Sequence, residues 1–127
     1  EFPLPNLSFH KVNDQGFLEA MAACKGLLCT AGFESVCEAM YLGKPVVMVP
    51  IAGQYEQACN ALDGEQSGAG KKADFFDFSL LTTLQLPDPN HTLSYREWTE
   101  SWPTEFRKLV YKQEQIAQND SPELVLS

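Results

Sequence analysis

Glycine, serine and glutamate fall in register in the segment Thr30-Ala31-Gly32-Phe33-Glu34-Ser35-Val36-Cys37-Glu38. The segment follows an apolar stretch and opens an amphipathic one. It therefore sets a glycine turn, a hydroxyl and a carboxylate at the carboxyl end of a strand, where open α/β sheets bind ligands. A helix that starts there offers free backbone N–H groups and the positive end of its dipole, which suits a phosphate. Gly32 suits a backbone that a ligand approaches closely or that turns with positive φ. Ser35 can donate its hydroxyl to a phosphate oxygen or cap the first helical turn. Glu38 can accept two hydroxyl donors at once, or it can be a solvated helix carboxylate. Further on, Gln54, Glu56 and Gln57 open a second helix after another strand. Their amides and carboxylate could bond sugar hydroxyls or simply face solvent. Asn60 lies one turn beyond Gln57, where it could fix the neighbouring loop.

The elements that must position these groups follow from hydrophobic spacing. Asn6 to Val12 reads as a short strand through Leu7, Phe9 and Val12. Asn13 or Asp14 caps a helix whose apolar stripe is Phe17, Leu18, Met21, Ala22 and Cys24. Residues 26–30 form a continuous apolar strand of the kind found in a parallel sheet covered on both faces. Phe33, Val36, Cys37, Met40 and Tyr41 recur at helical spacing, and Gly43 supplies a left-handed stop. Lys44-Pro45 returns the chain to extended geometry, leading into the β-branched strand 46–49. Residues 55–62 make another helix, and Gly68-Ala69-Gly70 a turn. The alternation of strand and helix predicts an α/β fold with a parallel sheet and right-handed crossovers.

Beyond Gly70, a short helix is expected over 80–84 and a loop at Pro87-Asp88-Pro89-Asn90. A long helical stretch then runs from Tyr95 to Gln118, with Trp98, Trp102, Phe106, Leu109, Val110 and Ile116 as its candidate buried face. Pro103 should kink that stretch or start a new helix. The polar tail from Asn119 is expected to fray.

Composition narrows the classes of function. A chain of 127 residues, 44% hydrophobic, can bury a core. Its net charge of −8 argues against nucleic acid or an anionic membrane surface as the main partner. No apolar run approaches the roughly 20 residues that span a bilayer. The start, Glu1-Phe2-Pro3-Leu4-Pro5, lacks the basic and apolar regions of a signal peptide. With no initiator Met, the chain reads as a piece of something longer. Cys24, Cys29, Cys37 and Cys59 lack zinc-ligand spacing and lie in apolar patterns, which points to reduced core thiols in a cytoplasmic protein. His10 and His91 are isolated from candidate triad partners and read as structural or exposed.

The segment from Cys24 to Gly70 resembles the donor-sugar motif of GT-B glycosyltransferases, closest to the glycosyltransferase family 28 C-terminal domain. Plant and animal UDP-glycosyltransferases share the pattern more loosely. Gly32, Ser35, Glu38, Gly43, Pro45 and Pro50 fall where that pattern has them, and Gln57 with Asn60-Ala61 is similar to its second motif. Thr30 stands where UDP-glycosyltransferases often carry His, and Glu34 where they carry Asn.

The resemblance implies a three-layer, Rossmann-like half-domain: an α/β core over 6–70, a C-terminal helical part over 71–118, and a tail. It implies donor or nucleotide contacts at Thr30, Gly32, Phe33, Ser35, Glu38, Gln54, Glu56, Gln57 and Asn60, with Glu38 on the ribose hydroxyls. The implied reaction is transfer of a hexosyl group from a nucleotide sugar, expected to be UDP-linked, to a hydroxyl of a lipid, glycan or small molecule. It needs no metal or cofactor, and its general base would lie on an acceptor domain outside this chain. The isolated piece would then be inactive and would self-associate through an open sheet edge. The parent protein would be cytoplasmic or peripheral at a membrane. Two other classes fit the residues: a non-catalytic α/β binding or regulatory module, and a sugar-nucleotide epimerase of similar architecture.

Overall fold

The computed structural model describes the backbone of residues 4–119 and the side chains of residues 4–112. Helix α1 (Asp14–Ala23), strand β1 (Leu27–Cys29), helix α2 (Phe33–Leu42), strand β2 (Val46–Met48), helix α3 (Tyr55–Gln66) and strand β3 (Gly70–Lys72) follow one another. The short helix α4 (Ser79–Thr83) and the long helix α5 (Pro89–Asn119) complete the chain. The sheet is three-stranded in the order β1-β2-β3, and both pairings are parallel. Leu27 pairs with Val46 and Cys29 with Met48; Val46 in turn pairs with Gly70. The fold is thus α/β, with helices crossing between parallel neighbours. The described residues divide into two compact units at Thr92/Leu93.

In the first unit, β2 is the centre of the core. Val46, Val47 and Met48 are wholly buried, as expected of an inner parallel strand covered on both faces. Val46 and Met48 pack with Met21, Val36, Ala39 and Ala61 from the first three helices. Val47 points to the opposite face, and α4 packs against β2.

Local chemistry explains the boundaries. The Asn13 carboxamide oxygen accepts from the Gly16 amide and caps α1. Gly43 adopts φ 66° beyond the end of α2, with Gly43 N–H bonded to the Met40 carbonyl and Lys44 N–H to the Ala39 carbonyl. That double closure needs a left-handed residue, which glycine provides at little cost. Lys44 Nζ then donates to the Cys24 carbonyl at 2.9 Å, setting a cation at the carboxyl end of α1. Hydrogen bonds from Ser79 hold the exposed Asp77 carboxyl below its usual range at the start of α4.

Several sequence expectations are corrected. Residues 6–12 form no strand; Leu7, Phe9 and Val12 are 47%, 68% and 102% exposed. Alternating side chains create a strand only where a neighbouring ladder accepts it. The expected turn is present, with Gly68 at φ 78°, and it leads directly into an unexpected third strand, Gly70–Lys72. Helix α3 continues four residues past Leu62, to Gln66. Pro89 begins α5 rather than lying in a loop: its missing N–H costs nothing in a first turn, and the Asp88 carboxylate accepts from Asn90 N–H.

The second unit is the body of α5. Pro103 lies inside a single helix rather than starting a new one. Its predicted buried face is exposed at Trp98, Trp102, Phe106, Leu109 and Val110, because one helix cannot cover its own apolar stripe. The Trp102 and Phe106 rings lie 5.8 Å apart along it. Ile116 and the tail after Asn119 lie outside the described side chains.

Candidate functional site

Because β1, β2 and β3 are parallel, the loops that leave them rise from the same end of the sheet. The first loop is Thr30-Ala31-Gly32, and its conformation departs from expectation. Gly32 has φ −63° and is the N-cap of α2; the positive φ, 63°, belongs to Ala31. A left-handed alanine is uncommon and strained, and this one is wholly buried. The turn was read onto Gly32 because glycine is the usual left-handed residue, whereas here the residue before it makes the turn. A Cβ built on Gly32 would meet nothing within 4 Å, so the surface over this backbone is open to an approaching ligand.

Helix α2 begins without a side-chain cap. The amides of Phe33, Glu34 and Ser35 therefore have no carbonyl partner within the helix and point to the open end. Phe33 is 65% exposed on this rim. Ser35 is half-buried and is not used as a cap, and Glu34 is exposed in the first turn. Helix α3 repeats the arrangement: Gln54 is its N-cap without a side-chain bond, and Glu56 is exposed in its first turn. Two uncapped helix starts thus adjoin the carboxyl ends of β1 and β2. Their acidic first-turn residues favour the helix dipoles and would compete with a bound anion.

Glu38 takes a different position. Six residues past the N-cap, it lies about 9 Å down the axis of α2, half-buried beside α1. Leu18, Glu19 and Ala22 of α1 and Glu38, Tyr41 and Leu42 of α2 line an open groove of about 410 Å³. That volume is within the range of small-ligand sites. Its surface is almost wholly apolar, although Glu19, Glu38 and Tyr41, which carry two carboxylates and a phenol hydroxyl, are among the residues that border it. The groove therefore suits the apolar face of a ring, while the uncapped α2 start is the nearer place for an anion. The sequence reading had Leu18 and Ala22 as core; the edge of α1 leaves Leu18 43% exposed.

The amides of α3 are engaged with the loops. Gln57 Oε1 accepts from Ile51 N–H at 3.0 Å, and Asn60 Nδ2 donates to the Ala31 carbonyl at 3.1 Å. The nine candidate residues thus divide. Thr30, Gly32, Phe33 and Ser35 form the first loop and helix start; Gln54, Glu56, Gln57 and Asn60 belong to the second loop and α3; Glu38 faces α1. Cys29 was missed as a site neighbour. Burial pushes its thiol pKa up, and a hydrogen bond from Ala31 N–H partly offsets this. His10 and His91 are exposed, and His10 bonds Ser8. Among the described residues, no group of three or more His, Cys, Asp or Glu side chains could hold a metal ion. No described helix is long and apolar enough to cross a membrane.

A second hollow of about 300 Å³ lies at the amino ends of β2 and β3, between Pro45, Gly68, Gly70 and Leu84–Asp88, away from the loops just described.

No curated protein and no solved structure matches the chain. The family model of glycosyl transferase family 1 matches residues 4–85, which include every candidate residue of the rim and the groove. With more than half of its length matched and a parallel α/β sheet presenting that rim, the chain belongs to glycosyl transferase family 1.

Proposed function

We propose that this chain is the donor-binding part of a GT-B glycosyltransferase of the family 28 C-terminal type, binding a UDP-hexose. The observation that carries the reading is the pairing of an open, uncapped α2 start with the Glu38 groove one and a half turns below it. The diphosphate takes the Phe33, Glu34 and Ser35 amides, joined by the Ser35 hydroxyl. The ribose hydroxyls donate to Glu38, and the nucleoside lies along the apolar floor. The sugar then extends over Gly32 towards Gln54 and Glu56 on the second loop, with Thr30 and Phe33 at its side.

In the transfer, an acceptor hydroxyl oxygen bonds to the anomeric carbon while that carbon's bond to the diphosphate oxygen breaks. The hydroxyl proton goes to a base that this chain does not supply. Negative charge grows on the departing diphosphate, and preorganised backbone donors at a helix start stabilise it. The acceptor, a lipid, glycan or small molecule, binds elsewhere in the parent enzyme, which works in the cytoplasm or at a membrane surface. Calorimetric titration of the chain with UDP and with uridine tests the reading. UDP is expected to bind at least about tenfold more tightly, equivalent to about 1.4 kcal/mol from the phosphate contacts. Equal affinities would contradict a diphosphate at α2.

A further inference from the structure

We propose that Gln57 and Asn60 are positioning residues that set both loops of the site from one face of α3, an inference that rests on the donor site described above. The two side chains are three residues apart and so share a helix face. Asn60 reaches the Ala31 carbonyl in the β1–α2 loop, 29 positions earlier in sequence, and Gln57 reaches the Ile51 amide in the β2–α3 loop. One rigid element thus holds both segments that flank the ligand.

Ala31 shows why the first loop needs holding. Left-handed backbone is unfavourable for alanine and persists where surrounding groups over-determine it. Here the Asn60 carboxamide takes the carbonyl, the Cys29 thiol takes the N–H, and the methyl group is packed in the core. That conformation sends the chain into Gly32 and aims the first amides of α2 at the open end. An amide spent on a loop carbonyl is poorly placed to bond sugar, so Asn60 acts on the donor through Ala31.

The experiment compares the full chain with its Asn60→Ala, Ala31→Gly, Ala31→Gly/Asn60→Ala and Gln57→Ala variants. Its readouts are amide exchange by mass spectrometry and UDP affinity by calorimetry, with far-UV circular dichroism checking the fold. Asn60→Ala should speed exchange across residues 30–36 and weaken UDP binding about tenfold. Ala31→Gly in that background should restore most of both, because glycine holds a positive φ without strain. Gln57→Ala should loosen residues 51–54 in the same way and gives an independent test if the Asn60 variant does not fold. Unchanged exchange in Asn60→Ala or in Gln57→Ala overturns the clamp. A loss of UDP binding that Ala31→Gly does not repair also overturns it, making Asn60 a direct ligand. Failure of the unaltered chain to bind UDP overturns the donor site instead, and the exchange comparison still decides the clamp.

Discussion

At Gly70 the sheet leaves no space for a side chain, since a Cβ there would run into the Val46 carbonyl of the paired strand. Backbone cannot move aside as a side-chain tip can, so Gly70→Ala should lower stability by about 3 kcal/mol or more, an overpacking cost at the upper end. Urea unfolding checks this, and an unchanged midpoint would contradict the close approach. Cys29 makes a second prediction, through pH. Burial favours its neutral thiol, so its folded pKa lies above the unfolded value. The stability it contributes is full below the unfolded value and is lost as pH rises through the folded one. Between about pH 8 and pH 10 the unaltered chain should therefore lose more stability than Cys29→Ala, and parallel losses would contradict the shift. Residue types and order made Gly32, Ser35 and Glu38 stand out in the sequence. The left-handed Ala31 did not, because its supports, Cys29 and Asn60, converge only in the folded chain.

Among the elements, β2 was legible because three consecutive β-branched or long apolar residues suit a strand buried on both faces. Strand β3 was not, since Gly-Lys-Lys has no strand preference and is recruited by its register with Val46–Met48. Residues 6–12 show the converse, an alternating pattern with no ladder to join. The groove was hidden for a similar reason: Leu18 and Ala22 have core spacing, and only the placement of α1 beside α2 turns them into a lining. Beside the core contact of Met21, Lys44 helps fix that placement, its ammonium tying the turn after α2 to the carbonyl of Cys24, the C-cap of α1. Lys44→Met keeps the aliphatic stem and removes the charge, and should cost about 1–2 kcal/mol. Thermal unfolding measures it, and equal stability of the two chains would show that the bond is spent against solvent.

For the whole molecule, the sheet ends in two strands, β1 and β3, whose outer edges have no partner among the described residues. Phe33, Tyr55, Phe75, Phe76 and Phe78 are exposed in the first unit, as are Trp98, Trp102 and Phe106 on α5. Open edges and apolar patches drive association, so light scattering should show a mass that rises with concentration; a constant monomer mass would contradict this. The central claim is that α2 presents its amides to a diphosphate and Glu38 to a ribose. Calorimetric titration of UDP into Glu38→Ala and Glu34→Ala tests it most directly. Loss of a charge-assisted hydrogen bond at Glu38 should weaken binding by about 1.5–3 kcal/mol, roughly ten- to a hundred-fold. Glu34→Ala should leave affinity unchanged or raise it, by removing a like charge beside the phosphate. Equal small effects, or a larger loss at Glu34, would contradict the assignment of the ligand-facing side of α2.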